Sequence, residues 1–188
     1  MKAVDSDKSN SLLMNVFQST FAPIIAVIGL TLTGCNTPTE TKADVSATFD
    51  ANAATIEHVF ADFQAEDEHF FTHFAEDAFW AGTSLNSPDS IPLADVSPMY
   101  RELWGMYDYK LTAEPNFLPG VNPNSKETDG SVRGYFRWNI TKTATDSTEA
   151  KSVDVKIYES FDFNAEGKID WTQVYGNLQS AYAALNQQ

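Results

Sequence analysis

Three long runs in the last third of the chain alternate apolar and polar residues: VRGYFRWNITKTAT from Val132, KSVDVKIYESFDF from Lys151 and KIDWTQVYGN from Lys168. Successive side chains of a strand point to opposite faces, so period-two alternation describes strands with one buried and one wet face. In the first run Val132, Phe136, Trp138 and Ile140 fall on one side, and Arg133, Tyr135, Arg137, Asn139 and Thr141 on the other. In the second, Val153, Val155, Ile157, Phe161 and Phe163 alternate with Asp154, Lys156, Tyr158 and Asp162. In the third, Ile169, Trp171 and Tyr175 line up together. TDSTEA and NAEG supply turn-forming residues between the runs, which makes the three an antiparallel meander.

The preceding half carries helical spacing instead. Phe49, Ala53, Ile56, Val59, Phe60 and Phe63 recur three and four apart and predict a helix over Thr48 to Gln64. EDEHFFTHFAED predicts a second, shorter helix whose Glu66, Asp67 and Glu68 suit the positive end of the helix dipole. Ala78 to Thr83 is a candidate short strand, and Asn86 to Pro98, with three prolines, a loop. MYRELWGMY predicts a third helix from Met99, Tyr107 to Leu118 a strand, Pro119 to Gly130 a loop, and Gln179 to Leu185 a short helical tail. Helices first and then a curved antiparallel sheet define the α+β class, with the helices packed on one face.

Of 188 residues, 12 are Lys or Arg and 26 Asp or Glu, a formal charge of −14. Such a surface repels nucleic-acid phosphates, so no nucleic-acid partner is expected. The single cysteine, Cys35, excludes an intramolecular disulfide framework and any multi-cysteine metal site. It follows FAPIIAVIGLTL, an apolar run too short to span a bilayer as a helix but suited to a signal-peptide core. The stretch ending Leu32-Thr33-Gly34-Cys35 resembles a bacterial lipobox, in which the cysteine is acylated and becomes the new N-terminus. The leading MKAVDSDKSN departs from that pattern, because Asp5 and Asp7 offset Lys2 and Lys8; a start at Met14 would leave only the amino terminus as positive charge. Residues 1–34 are thus expected to be a lipoprotein signal peptide, 35–46 the lipidated (palmitate-bearing) cysteine and a flexible tether, and 47–188 the folded domain. The resemblance implies a cell-envelope protein anchored to the membrane through Cys35. Asn36 is not the aspartate that retains enterobacterial lipoproteins in the inner membrane, which makes the periplasmic face of the outer membrane the expected location.

The order of elements carries a second resemblance. A long first helix leads into EDAFWAG, the helix MYRELW follows, and the meander ends FDFNAEGKIDWTQVYGN. Together these resemble the SnoaL-like branch of the nuclear transport factor 2-like superfamily. The resemblance implies a cone, a strongly bent antiparallel sheet closed by helices around an apolar pocket, commonly in a homodimer built on the outer face of the sheet. Trp80, Tyr100, Trp104, Tyr109, Phe117, Trp138 and Trp171 come from elements that would line such a cone, where large rings with polar tips suit a small apolar ligand. Ordinary core packing accounts for most aromatic residues in any domain, and only some of these are expected to face a cavity.

Candidate chemistry is sparse. DFNAEGKIDWTQ places Asp162, Asn164, Glu166 and Gly167 near positions of a calcium loop, but Gln173 stands where a bidentate glutamate belongs and the flanks are strand-like. A hairpin turn accounts for Asn164 and Gly167 without an ion. His69 and His73, four apart, could offer two imidazoles to a metal, yet no acid sits between them, and solvated or half-buried histidines are the simpler reading; no metal and no cofactor is expected. Relatives in the superfamily such as ketosteroid isomerase, scytalone dehydratase and limonene epoxide hydrolase work through a carboxylate or histidine inside the cone. His73, Asp77 and Asp154 are the weak candidates for that role, and none falls on a full catalytic motif. Arg133 and Arg137 could serve a dimer seam or hold an anion. Three readings follow. The favoured one is an anchored domain that binds a small, mainly apolar molecule without turnover; the second is an isomerase, dehydratase or cyclase; the third is an interaction module with a filled core.

Overall fold

The computed structural model describes residues 42–145 and 148–187. The signal-peptide stretch, Cys35 and residues 36–41 of the tether lie outside the described residues.

Helix α1 spans Lys42–Ala65 and begins inside the stretch expected to be tether. That stretch, KADVSATF, has no glycine or proline, Asp44 sits in the first turn where negative charge is favoured, and Thr48 Oγ1 donates to the Asp44 carbonyl at 2.9 Å. After Glu66, which takes φ 56 and ends the helix, Asp67 caps a 3-10 helix, Glu68–His73, by accepting the His69 N–H at 2.8 Å. The second expected helix is therefore only one short 3-10 segment, and strand β1, Phe74–Gly82, starts earlier than AFWAGT suggested. Strand β2 is Ile91–Pro92, and helix α2, Leu93–Trp104, begins within the expected loop and contains Pro98. The carbonyl that proline leaves without an N–H donor, that of Ala94, accepts from Ser97 Oγ at 3.3 Å. The expected strand over Tyr107–Leu118 divides into β3, Tyr107–Leu111, and β4, Asn116–Val121.

The meander forms as expected: β5 is Thr128–Lys142, β6 Lys151–Phe163 and β7 Ile169–Gly176, followed by helix α3, Leu178–Asn186. One sheet runs in the order β2-β1-β7-β6-β5-β3, with β4 also on β5; β1 and β7 are parallel and the other pairs antiparallel. The β6–β7 turn closes on Asn164, whose Oδ1 accepts the N–H groups of Glu166 at 3.1 Å and Lys168 at 2.9 Å, with Gly167 at φ 72. The side chain that would have faced calcium is spent on the turn backbone.

Helix α1 lies across the concave face of this sheet and is fixed at its middle and near its C-terminal end. At its middle, Asn52 Nδ2 donates to the Gly130 carbonyl at 2.9 Å. Near its end, Phe60 and Phe63 enter the core, with Phe60 at 4.5 Å from Phe136 and Phe63 at 4.9 Å from Tyr109, centroid to centroid. Each such ring contributes about 1.5–3 kcal/mol through burial, and each pair about 0.5–1.5 kcal/mol beyond it. The helices and the curled sheet give the cone of the nuclear transport factor 2-like fold.

Candidate functional site

The cone is not filled. A cavity of about 380 Å³ lies between the concave face and the helices, walled by Phe60 and Phe63 of α1, Tyr100 of α2 and Tyr182 of α3, with Trp138 and Ile157 at its floor. The filled-core reading needed a packed interior, and this cavity removes that support.

Among the described residues, one carboxylate stands in this apolar lining. Glu159 belongs to the odd-numbered face of β6, between Ile157 and Phe161, both buried. Its Oε1 accepts from Thr172 Oγ1 at 2.8 Å, and among the described residues no second donor meets the carboxylate. Burial disfavours the charged form and pushes its pKa up to about 7, against the Thr172 hydrogen bond, which favours it. The group therefore exchanges its proton near neutrality, as a general acid or base needs.

Other hydrogen-bond donors line the same cavity. Tyr100 is held above its usual pKa by burial, then by the neighbouring charge of Glu159, so its hydroxyl keeps its proton. Trp80 Nε1 is shut off from water and, among the described residues, has no acceptor in hydrogen-bonding geometry; it lies near the Tyr100 oxygen, whose pKa rise it opposes. Tyr109 and Tyr182 pair hydroxyl to hydroxyl at 2.9 Å, and burial raises both.

Of the seven aromatic residues expected in the lining, Trp80, Tyr100, Tyr109 and Trp138 line the cavity. Trp104 packs behind it, its ring 5.7 Å from Phe63 and 5.8 Å from Phe70, and Phe117 lies 6.2 Å from Phe60 in contact range of Gly134. Trp171 is displaced by a bulge. Between the pairs Asp162↔Trp171 and Phe163↔Ile169 the register shifts, leaving Asp170 unpaired. One extra residue exchanges the two faces of the strand beyond it. Thr172 and Val174 then reach the cavity, while Trp171 lies opposite Asp162 on the outer side, with Tyr175 in contact with Tyr158 there.

The weak catalytic candidates lie outside the lining. His73 is largely buried but turned to Asp62, with Nε2 2.7 Å from Oδ2. Asp77 is exposed on β1, and Asp154 is exposed on the outer face of β6, accepting from Asn139 Nδ2 at 2.8 Å with Arg137 at 3.9 Å. Arg133 pairs with Asp162 at 2.9 Å on that same face. Reasoning from the sequence passed over Glu159, although its signal was legible: it is the one acid at an odd position of a run whose other odd members from Val153 to Phe163 are apolar.

No family model matches the chain, and no curated protein matches it by sequence. Solved structures do share its fold. A protein proposed to be a polyketide cyclase, from Xanthomonas campestris pv. campestris, aligns with a TM-score of 0.55 at 17% identity over 73% of this chain and 98% of its own. A protein proposed to be an isomerase, from Bacillus subtilis, gives 0.57 at 14% identity over 72% and 95%. A nuclear transport factor 2-like protein from Burkholderia xenovorans LB400 gives 0.53 at 12% identity over 73% and 97%. At these identities the likeness is one of fold, and the chain carries that fold.

Proposed function

We propose that the cavity is the acid–base site of a cofactor-independent enzyme of the isomerase or cyclase type, acting on a small, mainly apolar molecule with a carbonyl-like acceptor. The observation that carries this reading is Glu159, a carboxyl with a pKa of about 7 set in an apolar cavity. Its carboxylate would take a proton from carbon beside the carbonyl. The Tyr100 hydroxyl would hold the oxygen on which charge develops, and the protonated Glu159 would return the proton elsewhere on the same skeleton. The functions proposed for two of the structural neighbours, a cyclase and an isomerase, accord with this chemistry. A binding-only domain would use the same walls but leave Glu159 without a role. Lipid anchoring at Cys35 in a bacterial cell envelope remains our proposal from the lipobox alone. A homodimer is proposed through the outer sheet face, where Tyr135, Tyr158 and Tyr175 form a ladder with centroids 4.8 and 5.5 Å apart.

Benzisoxazole tests the acid–base role without knowledge of the substrate, since its ring opens on removal of one proton. The full chain should open it with a rate that rises with pH through a midpoint near 7, and Glu159→Gln should lose about 100-fold or more. Equal rates in the two proteins would remove the acid–base role and return the cavity to binding alone.

A further inference from the structure

Beneath the wall of the cavity, three ligand-type atoms meet on the other side of the 3-10 helix. Asp62, near the C-terminal end of α1, presents Oδ2 to His69 Nδ1 at 2.8 Å and to His73 Nε2 at 2.7 Å. The three atoms lie within 4.8 Å of one another, and the two rings meet edge to face at 4.9 Å. We infer that Asp62, His69 and His73 form a binding site for a divalent transition-metal ion of the zinc class. This is independent of the acid–base reading.

The donor set decides the class of ion. Two imidazoles and one carboxylate suit zinc, cobalt or nickel, whereas magnesium and calcium require more oxygen ligands than Asp62 supplies. Zinc bonds of about 2.0–2.2 Å in a tetrahedral site hold their ligand atoms roughly 3.3 Å apart. The two carboxylate–imidazole spacings must therefore open by about half an ångström to admit the ion. His69, with 61% of its side chain exposed, is free to make that adjustment, while His73, at 12%, is held in place. A ring nitrogen binds the ion through its lone pair, which places the N–H of each imidazole on its outward nitrogen. The neighbouring cations are engaged elsewhere, Arg101 on Glu68 at 2.6 and 2.7 Å and Lys168 on the Thr72 carbonyl. Three protein ligands leave a fourth position for water.

The ion would tie the end of α1 to the segment that follows, across the turn containing Glu66. Phe63 on one side of that turn and Phe70 and Phe74 on the other all line the cavity, so the clamp would set the wall.

Titration of the full chain, stripped with chelator and then supplied with zinc chloride, tests the site. One zinc per chain should bind, with a rise in melting temperature. His69→Ala and Asp62→Asn should each weaken binding by about 100-fold or more, beyond the usual loss of an outer-shell partner. His58→Ala, which removes the remaining histidine, and Cys35→Ser should leave it unchanged, and cobalt chloride should give a visible absorption band that vanishes in His69→Ala. His69 is the exposed member of the set, so its variant keeps the fold, with near-ultraviolet circular dichroism as the check. Failure to take up zinc stoichiometrically, or uptake that survives His69→Ala and Asp62→Asn, overturns the assignment; so does equal loss in His58→Ala or Cys35→Ser.

Discussion

Replacing Glu159 by glutamine should make the protein more stable, and only above mildly acidic pH. The carboxyl rises from 4.5 to about 7 on folding, chiefly because burial withholds water from the charged form. Below 4.5 it is protonated in the folded and unfolded chains alike and contributes no difference. Between 4.5 and about 7 the folded chain keeps a proton that the unfolded chain has released, so stability falls as pH rises; above about 7 the whole penalty is present. At about 1.4 kcal/mol per pH unit, this penalty amounts to roughly 3 kcal/mol. Glutamine matches the shape of the carboxyl, retains an acceptor for the Thr172 hydroxyl and carries no charge to desolvate. Urea unfolding of both proteins across the pH range should give curves that coincide near pH 4 and diverge by about 3 kcal/mol near pH 8. On heating, the divergence corresponds to about 6–12 °C in Tm. All other titrating groups are common to both proteins and cancel in the difference. A difference that does not vary with pH, or a variant less stable at pH 8, would refute the claim that Glu159 is desolvated. Stability given up at a single cavity carboxyl is what a site selected for proton transfer would show.

Two further outcomes follow from placement. Trp138→Ala should cost about 3–5 kcal/mol in chemical denaturation, because the ring is 7% exposed and packs on Phe60, Phe63, Tyr109 and Phe136; Trp171→Ala, on the outer face, should cost clearly less, and equal losses would put the β7 bulge in the wrong place. In a bacterial host, labelled palmitate should enter the chain and be lost in Cys35→Ser; incorporation unaffected by that change would remove the proposed anchor.

The meander and its inward face were legible because strand periodicity is a local property: Val132, Phe136, Trp138 and Ile140 are all buried where alternation placed them. The long helix was legible for the same reason. Boundaries were less so, since α1 reaches back to Lys42 and α2 incorporates Pro98, each through side-chain hydrogen bonds within its own turn that compensate for a weak helical signal. The site was half legible. Four of seven aromatic residues face the cavity, and Glu159 stood in plain alternation among apolar neighbours.

By itself, then, the sequence determined the class of fold and which face of β5 and of β6 turns inward, because residues two or four apart along one element decide those. Three things were decided only by tertiary structure. Trp171 and Thr172 exchanged faces because pairing with β6 leaves Asp170 as an extra residue, and pairing is non-local. Asp62 met His69 and His73 because the chain turns back after α1. The proton affinity of Glu159 came from helices and strands distant in sequence that together exclude water from one carboxyl, and no local pattern encodes a dielectric environment.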